Sequence, residues 1–402
     1  MDMRRNLLYC IVSACVVMLF CGCDGIESRK NSPIRINVTT DNTTKSVAIT
    51  SSSLEAAGKF VLDVIVDDSY REVDSEGHPV GPTYSAGAYV ISGGKANVLY
   101  SSASNEYTPA KRPGPDHTEG WYIYADDTYE PYYWIDGVKM HFWARYPQDS
   151  DVDGSTGKGD LSVTIPGVGE TTEDFEYALP EAAAGSDATN QKDILFAYAE
   201  RTKRNTDLND NIDIVFHHPL SEVRFCVSPD DGTFDVNLQI KRIEITNVPD
   251  GGSCTFDSDG TVAAGTMFDW TPSSTLGNYS QDYNAYFDVA PTGWNRTEYD
   301  SVNHWNIYTC QNAFMLIPTQ LSHAAGKEAM MRITFYDKNT MSEFTREAPI
   351  CGSGTADDPY ITWKPGHYYT YKILATKVGR SITTYVILAD WSDRDSKINI
   401  PC

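Results

Sequence analysis

Along most of this chain the apolar residues recur at every second position in short runs, and that period decides the class of fold. Phe60, Leu62, Val64 and Val66 alternate with Val61, Asp63, Ile65 and Asp67. Met140, Phe142 and Ala144 obey the same rule, as do Ile212, Ile214 and Phe216, then Val223, Phe225 and Val227. A period of two sends successive side chains to opposite faces of a strand. Further runs at Phe314 to Ile317, Met331 to Tyr336, Tyr368 to Leu374 and Tyr385 to Leu388 are separated by turn-forming clusters such as Pro249-Asp250-Gly251-Gly252, Asp257-Ser258-Asp259-Gly260 and Lys364-Pro365-Gly366. No segment keeps a helical period beyond about two turns. The pattern predicts an all-β protein made of sandwiches. From Phe234 to Ile245 the apolar positions run 234, 236, 238, 240 and then 243, 245, a one-residue slip that predicts a β-bulge.

The N-terminus obeys a different rule. Arg4 and Arg5 precede an uncharged, mostly apolar run from Leu7 to Phe20. As a helix this run spans about 21 Å, short of the ~30 Å hydrocarbon core of a bilayer, so it reads as a signal peptide over residues 1–22 and not as a membrane span. It ends in Phe20-Cys21-Gly22-Cys23, which resembles a bacterial lipobox and predicts cleavage between Gly22 and Cys23 with lipid on Cys23. Residues 23–32 are small and polar, as a tether between lipid and folded protein should be. The chain beyond this tether is longer than one core usually supports, so two domains are expected, at 33–208 and 209–402. The polar stretch from Glu200 to Asn211 marks the boundary.

Composition narrows the function further. The formal charge is −23, and loss of the leader makes it one unit more negative. Phosphate binding needs clustered Lys and Arg, so nucleic acid is not an expected partner. Beyond Cys23 five cysteines remain, at 226, 254, 310, 351 and 402, with no disulfide framework or zinc spacing. Motifs for nucleophilic, metal-dependent or phosphate-binding catalysis are absent, no residue is nominated as catalytic, and neither an enzyme activity nor a cofactor is expected. His217 and His218 are adjacent on a strand and point to opposite faces, which suits capping or core roles better than one shared metal. Asp149, Asp151, Asp153, Gly154 and Asp160 have the spacing of a calcium loop, but Asp stands at position 12 and no helix flanks it, so a solvated acidic turn is the preferred reading. Trp121, Tyr122, Tyr124, Tyr132, Tyr133 and Trp134 form either a sugar-stacking platform or sandwich core.

Five segments in fixed order carry a resemblance. They are Trp134 with Val138-Lys139-Met140-His141-Phe142-Trp143-Ala144-Arg145-Tyr146-Pro147, Asp193-Ile194-Leu195-Phe196-Ala197, Ile214-Val215-Phe216-His217-His218-Pro219-Leu220-Ser221-Glu222-Val223, Leu316-Ile317-Pro318, and Trp363-Lys364-Pro365-Gly366-His367-Tyr368-Tyr369-Thr370-Tyr371. With the lipobox, they resemble the fimbrillin family, the type V pilus proteins of Bacteroidales, over most of residues 35–391. The resemblance implies two transthyretin-like Greek-key β-sandwich domains in tandem. It also implies export as a lipoprotein to the outer membrane and cell surface, with other fimbrial subunits as partners and host or bacterial surface glycans or proteins as adhesion targets.

The resemblance further implies assembly by strand exchange. In the family a trypsin-like protease removes the first strand, and a strand from another subunit fills the groove. The corresponding strand here is Pro33 to Thr39, with Ile34, Ile36 and Val38 on one face. Where the family has an arginine after this strand, this chain has Thr44-Lys45-Ser46, and a lysine does not suit an arginine-specific protease. Candidate processing residues are therefore Lys45 and Arg35, with Arg29 as a third. Thr384 to Trp391 and Lys397 to Ile400 are candidates for a donated strand. A monomeric glycan-binding surface lipoprotein is the alternative, supported by the aromatic cluster.

Overall fold

The computed structural model describes residues 34–401 apart from a set of intervals, of which 41–53, 102–119, 181–190, 230–237 and 259–266 are the longest. Among the described residues, twenty-five strands make up the regular elements. In chain order they are β1 (Arg35–Thr40), β2 (Lys59–Val66), β3 (Tyr70–Val73), β4 (Pro79–Tyr84), β5 (Tyr89–Ile91), β6 (Ala96–Ser101), β7 (Gly120–Ala125), β8 (Lys139–Tyr146), β9 (Asp160–Thr164), β10 (Thr172–Ala178), β11 (Leu195–Thr202) and β12 (Asn211–Phe216). Next come β13 (Ser221–Pro229), β14 (Leu238–Pro249), β15 (Gly251–Asp257), β16 (Phe268–Pro272), β17 (Leu276–Tyr286), β18 (Trp294–Asp300) and β19 (Trp305–Cys310). The last are β20 (Phe314–Leu316), β21 (Met330–Asp337), β22 (Ser342–Pro349), β23 (His367–Ala375), β24 (Ile382–Asp390) and β25 (Ile398–Pro401). The all-β expectation holds.

The first large sheet runs β11-β8-β2-β6-β7-β1-β12, with β5 added on β2. It curls until its outer strands meet, because Phe196 and His217 exchange two backbone hydrogen bonds, at 3.1 and 2.8 Å. Inside lies a core of Ile34, Ile36, Phe60, Leu62, Val64, Trp121, Phe142, Ile212, Ile214 and Phe216, among others. The C-terminal half forms a sheet β18-β19-β13-β23-β24-β25, with β20 on β13, and a second sheet β17-β14-β21-β22. Between the halves runs a four-stranded sheet, β16-β15-β10-β9, that takes two strands from each. This bridging sheet is held by a seven-residue antiparallel ladder from Thr172 opposite Asp257 to Ala178 opposite Gly251. The second core gathers Phe225, Ile243, Phe314, Trp363 and Tyr371 with Phe175, Tyr177 and Phe256 of the bridging sheet and with Ile65, Trp143 and Phe196 of the first sheet.

Strands β2, β8 and β11 are therefore covered on both faces. Leu62, Val64 and Phe142 enter the first core, whereas Ile65, Trp143 and Phe196 enter the second. β12, just beyond the expected division at residues 208 and 209, pairs with β1 and buries Ile212, Ile214 and Phe216 in the first core, so the chain changes core between Phe216 and Ser221. The polar stretch before it is the connection between β11 and β12. The predicted bulge is present: β14 slips by one residue between Ile240 and Arg242 against both neighbours, which keeps Ile240, Ile243 and Ile245 buried.

Candidate functional site

The site that the sequence singles out is the slot filled by the first strand. β1 lies parallel to β12 through six consecutive pairs, from Arg35 opposite Asn211 to Thr40 opposite Phe216. On its other side Arg35 and Ile36 pair antiparallel with Tyr122 and Trp121 of β7. Alternation places Ile34 and Ile36 in the core at 1% and 3% exposure, and Val38 packs against it partly buried. Ile36 faces Ile212 and Val38 faces Ile214 across the ladder. On the outward face the Asn37 amide donates to Asp213 Oδ1 at 2.8 Å. The Ile34 N–H donates to the Tyr132 carbonyl at 2.7 Å. Burial of the two isoleucines alone contributes about 4 kcal/mol. Without β1, the edge of β12 would offer six residues of unpaired backbone above apolar pockets, a template for another strand. Pro33 to Thr39 is the strand expected from the sequence; β7 and β12 as the walls of its slot are not, because both come from distant segments.

Arg35 sits inside β1, paired on both sides, and a protease needs its substrate extended and unpaired, so Arg35 is closed to cleavage while β1 is in place. Gly22, Cys23, Arg29 and Lys45 lie outside the described residues. The C-terminal candidates for donation are folded back onto their own sheet: β24 pairs with β23, and β25 pairs with β24 from Leu388 opposite Ile398 to Tyr385 opposite Pro401.

Several of the segments that carry the family resemblance meet where the chain passes from the first core to the second. His218 is buried with its Nδ1 2.9 Å from Asp193 Oδ2. Gln191 Oε1 accepts from the Met315 N–H at 2.9 Å, and the Ser221 hydroxyl donates to the Lys364 carbonyl at 2.8 Å. Trp363 Nε1 donates to the Tyr371 hydroxyl at 3.2 Å, while the Tyr369 hydroxyl donates to the Thr362 carbonyl at 2.9 Å. Gly366, at φ 66°, turns the chain so that its N–H meets the Leu220 carbonyl at 3.0 Å. His217 is half-buried at the closure of the first sheet, so the core and capping roles expected for the histidine pair are the ones they take.

Other candidates fare differently. Trp121 and Trp134 are 4% and 1% exposed and belong to the first core, Tyr132 packs against it, and nothing is left of a tryptophan platform for sugars. Of the calcium-spaced residues, Asp149, Asp151 and Asp153 lie outside the described residues; Gly154 has φ 74°, and Asp160 is exposed at the start of β9. Among the described residues no group of three His, Cys, Asp or Glu side chains is placed to hold a metal. A trough of about 490 Å³ crosses the outer face of the bridging sheet, lined by Ser162, Thr164, Asp174, Glu176, Ser253, Thr255, Asp269 and Thr271, and the Thr255 hydroxyl is taken up by Asp174 at 2.6 Å. Cys254 also lines it, but burial pushes that thiol's pKa up, away from a reactive thiolate.

A slot of this kind in an all-β chain defines a class of protein, one whose first strand completes a sheet it does not otherwise belong to. A family model described as fimbrillin-like matches residues 87–391, and the chain belongs to that family. Family membership supports a fimbrial or adhesive role at the cell surface, with other fimbrial subunits as partners, and suggests a structural protein rather than an enzyme. Among solved structures the chain is similar to a fimbrial protein from Bacteroides vulgatus, at 15% identity and a TM-score of 0.46, covering 90% of this chain and all of that one. It is similar also to the tip fimbrial protein Mfa3 from Porphyromonas gingivalis, at 10% identity and a TM-score of 0.37 over 90% of this chain and all of that one. A fimbrial assembly protein from Parabacteroides distasonis aligns at 11% identity and a TM-score of 0.33, over 89% of this chain and 96% of that one. No curated protein matches the chain.

Proposed function

We propose that this protein is a structural subunit of a cell-surface fimbria, a shaft or accessory/tip subunit built as two transthyretin-like Greek-key sandwiches in tandem. It is exported with the leader 1–22, lipidated at Cys23 and held at the outer membrane by the tether 23–32. It assembles by strand exchange: cleavage after β1 frees that strand, and a strand of another subunit takes its place against β12 and β7. The observation that carries this reading is the position of β1. It is laid between two strands from far along the sequence, parallel to β12 and antiparallel to β7. Lys45 comes five residues after β1, and with Arg35 locked in the ladder it is the preferred cleavage point.

Limited tryptic digestion of the folded chain without its leader tests this, read by intact mass and gel filtration. Cleavage at Lys45 and then high-mass species that resist dilution are the expected result. Cleavage that leaves a stable monomer sinks strand exchange, and incorporation of labelled palmitate in cells that persists in Cys23→Ala sinks the lipid assignment.

A further inference from the structure

At one end of the seam between the bridging sheet and the first sheet, two carboxyl groups and one guanidinium lie out of water. Asp63 on β2 is fully buried and accepts from Arg145 Nη1 at 2.7 Å, and Arg145 on β8 is itself only 4% exposed. Glu173 on β10 faces them across the seam. It is 1% exposed, and neither of its carboxyl oxygens has a hydrogen-bond partner. Its charged neighbours are Arg145 and Asp63. From β15 the residue opposite it is Phe256, and the next inward residue on β10 is Phe175, both apolar. Asp257 pairs opposite Thr172 and so leaves from the other face of the bridging sheet.

With Glu173 ionised, this dry pocket would hold two negative charges against one positive, and an uncompensated buried charge is costly. As a neutral acid it carries no such cost. Burial accordingly pushes the carboxyl from 4.5 up to about 8, with Arg145 pulling it down and Asp63 pushing it up. We propose that Glu173 is a proton-operated latch between the bridging sheet and the first sheet: protonated, it lets the bridging sheet sit dry on β2 and β8, and ionised, it draws water into the seam and loosens β10. Because the folded chain keeps the proton that an unfolded chain would release, the latch's contribution is whole below about 4.5, shrinks as pH rises, and is gone above about 8.

Hydrogen exchange of the full chain, corrected for the intrinsic pH dependence of the amides, tests the latch against β21 as internal reference. From pH 6 to pH 9 the wild-type β10 peptides should lose on the order of a hundredfold in protection relative to β21, and Glu173→Gln should abolish that loss. Asp63→Asn frees Arg145 for Glu173 and should move the loss to lower pH. Equal wild-type protection at both pH values, or the same loss in Glu173→Gln, overturns the proposal. Should Glu173→Gln not fold, infrared spectra of the wild type decide the matter: a carboxylic-acid carbonyl band at pH 6 that bleaches only near pH 8 supports the latch, and no such band at pH 6 overturns it.

Discussion

The two hydrophobic cores are closed by opposite means. The first depends on β1, near the start of the chain, which adds two buried isoleucines and one parallel ladder. The second is laced by strands of both halves, since β10 pairs with β15 and carries β9 on its other side, and residues of the first sheet pack into it. One core is completed by a single short strand and the other by strands drawn from both halves. The difference teaches where each core depends on few contacts and where on many, and it marks β1 as the part whose loss is expected to disturb the second core least.

Three perturbations break or sharpen this contrast. The largest effect is expected from deletion of residues 33–40, which should cost the first core about 5 kcal/mol while the second keeps its own unfolding transition. Urea denaturation monitored by tryptophan fluorescence checks this, and one shared loss of both transitions would undo the comparison. Phe196→Ala strikes the residue that enters the second core and also closes the first sheet through its backbone. It should cost about 3–5 kcal/mol and lower both calorimetric transitions, whereas a drop in only one would mean that the cores are uncoupled there. Smallest is Asn37→Ala, which removes the outward bond to Asp213. It should cost about 0.5–1 kcal/mol in the first transition alone, and Tm is the measure.

The features legible in the sequence are those that short-range periodicity controls. The faces of β1, β2 and β12, the bulge in β14 and the turn at Gly366 arise from local patterns. Long-range cover is what a local pattern conceals. Asp63 and Arg145 occupy the polar-looking positions of alternating strands, yet they are buried because a sheet assembled from segments some eighty residues apart closes over them. The same cover hides Glu173, whose neighbours on β10 alternate as in any solvated strand. Trp121 and Trp134 are ambiguous in the sequence for a related reason: an aromatic on a strand suits core or ligand equally until the opposite wall is known.

The slot for β1 also has a direction. Its ladders require an occupant that runs parallel to β12 and antiparallel to β7, so a strand lies in it one way round only. Molecules joined through such a slot would share a common heading, and a row of them would have a head and a tail, with growth at one end chemically unlike growth at the other.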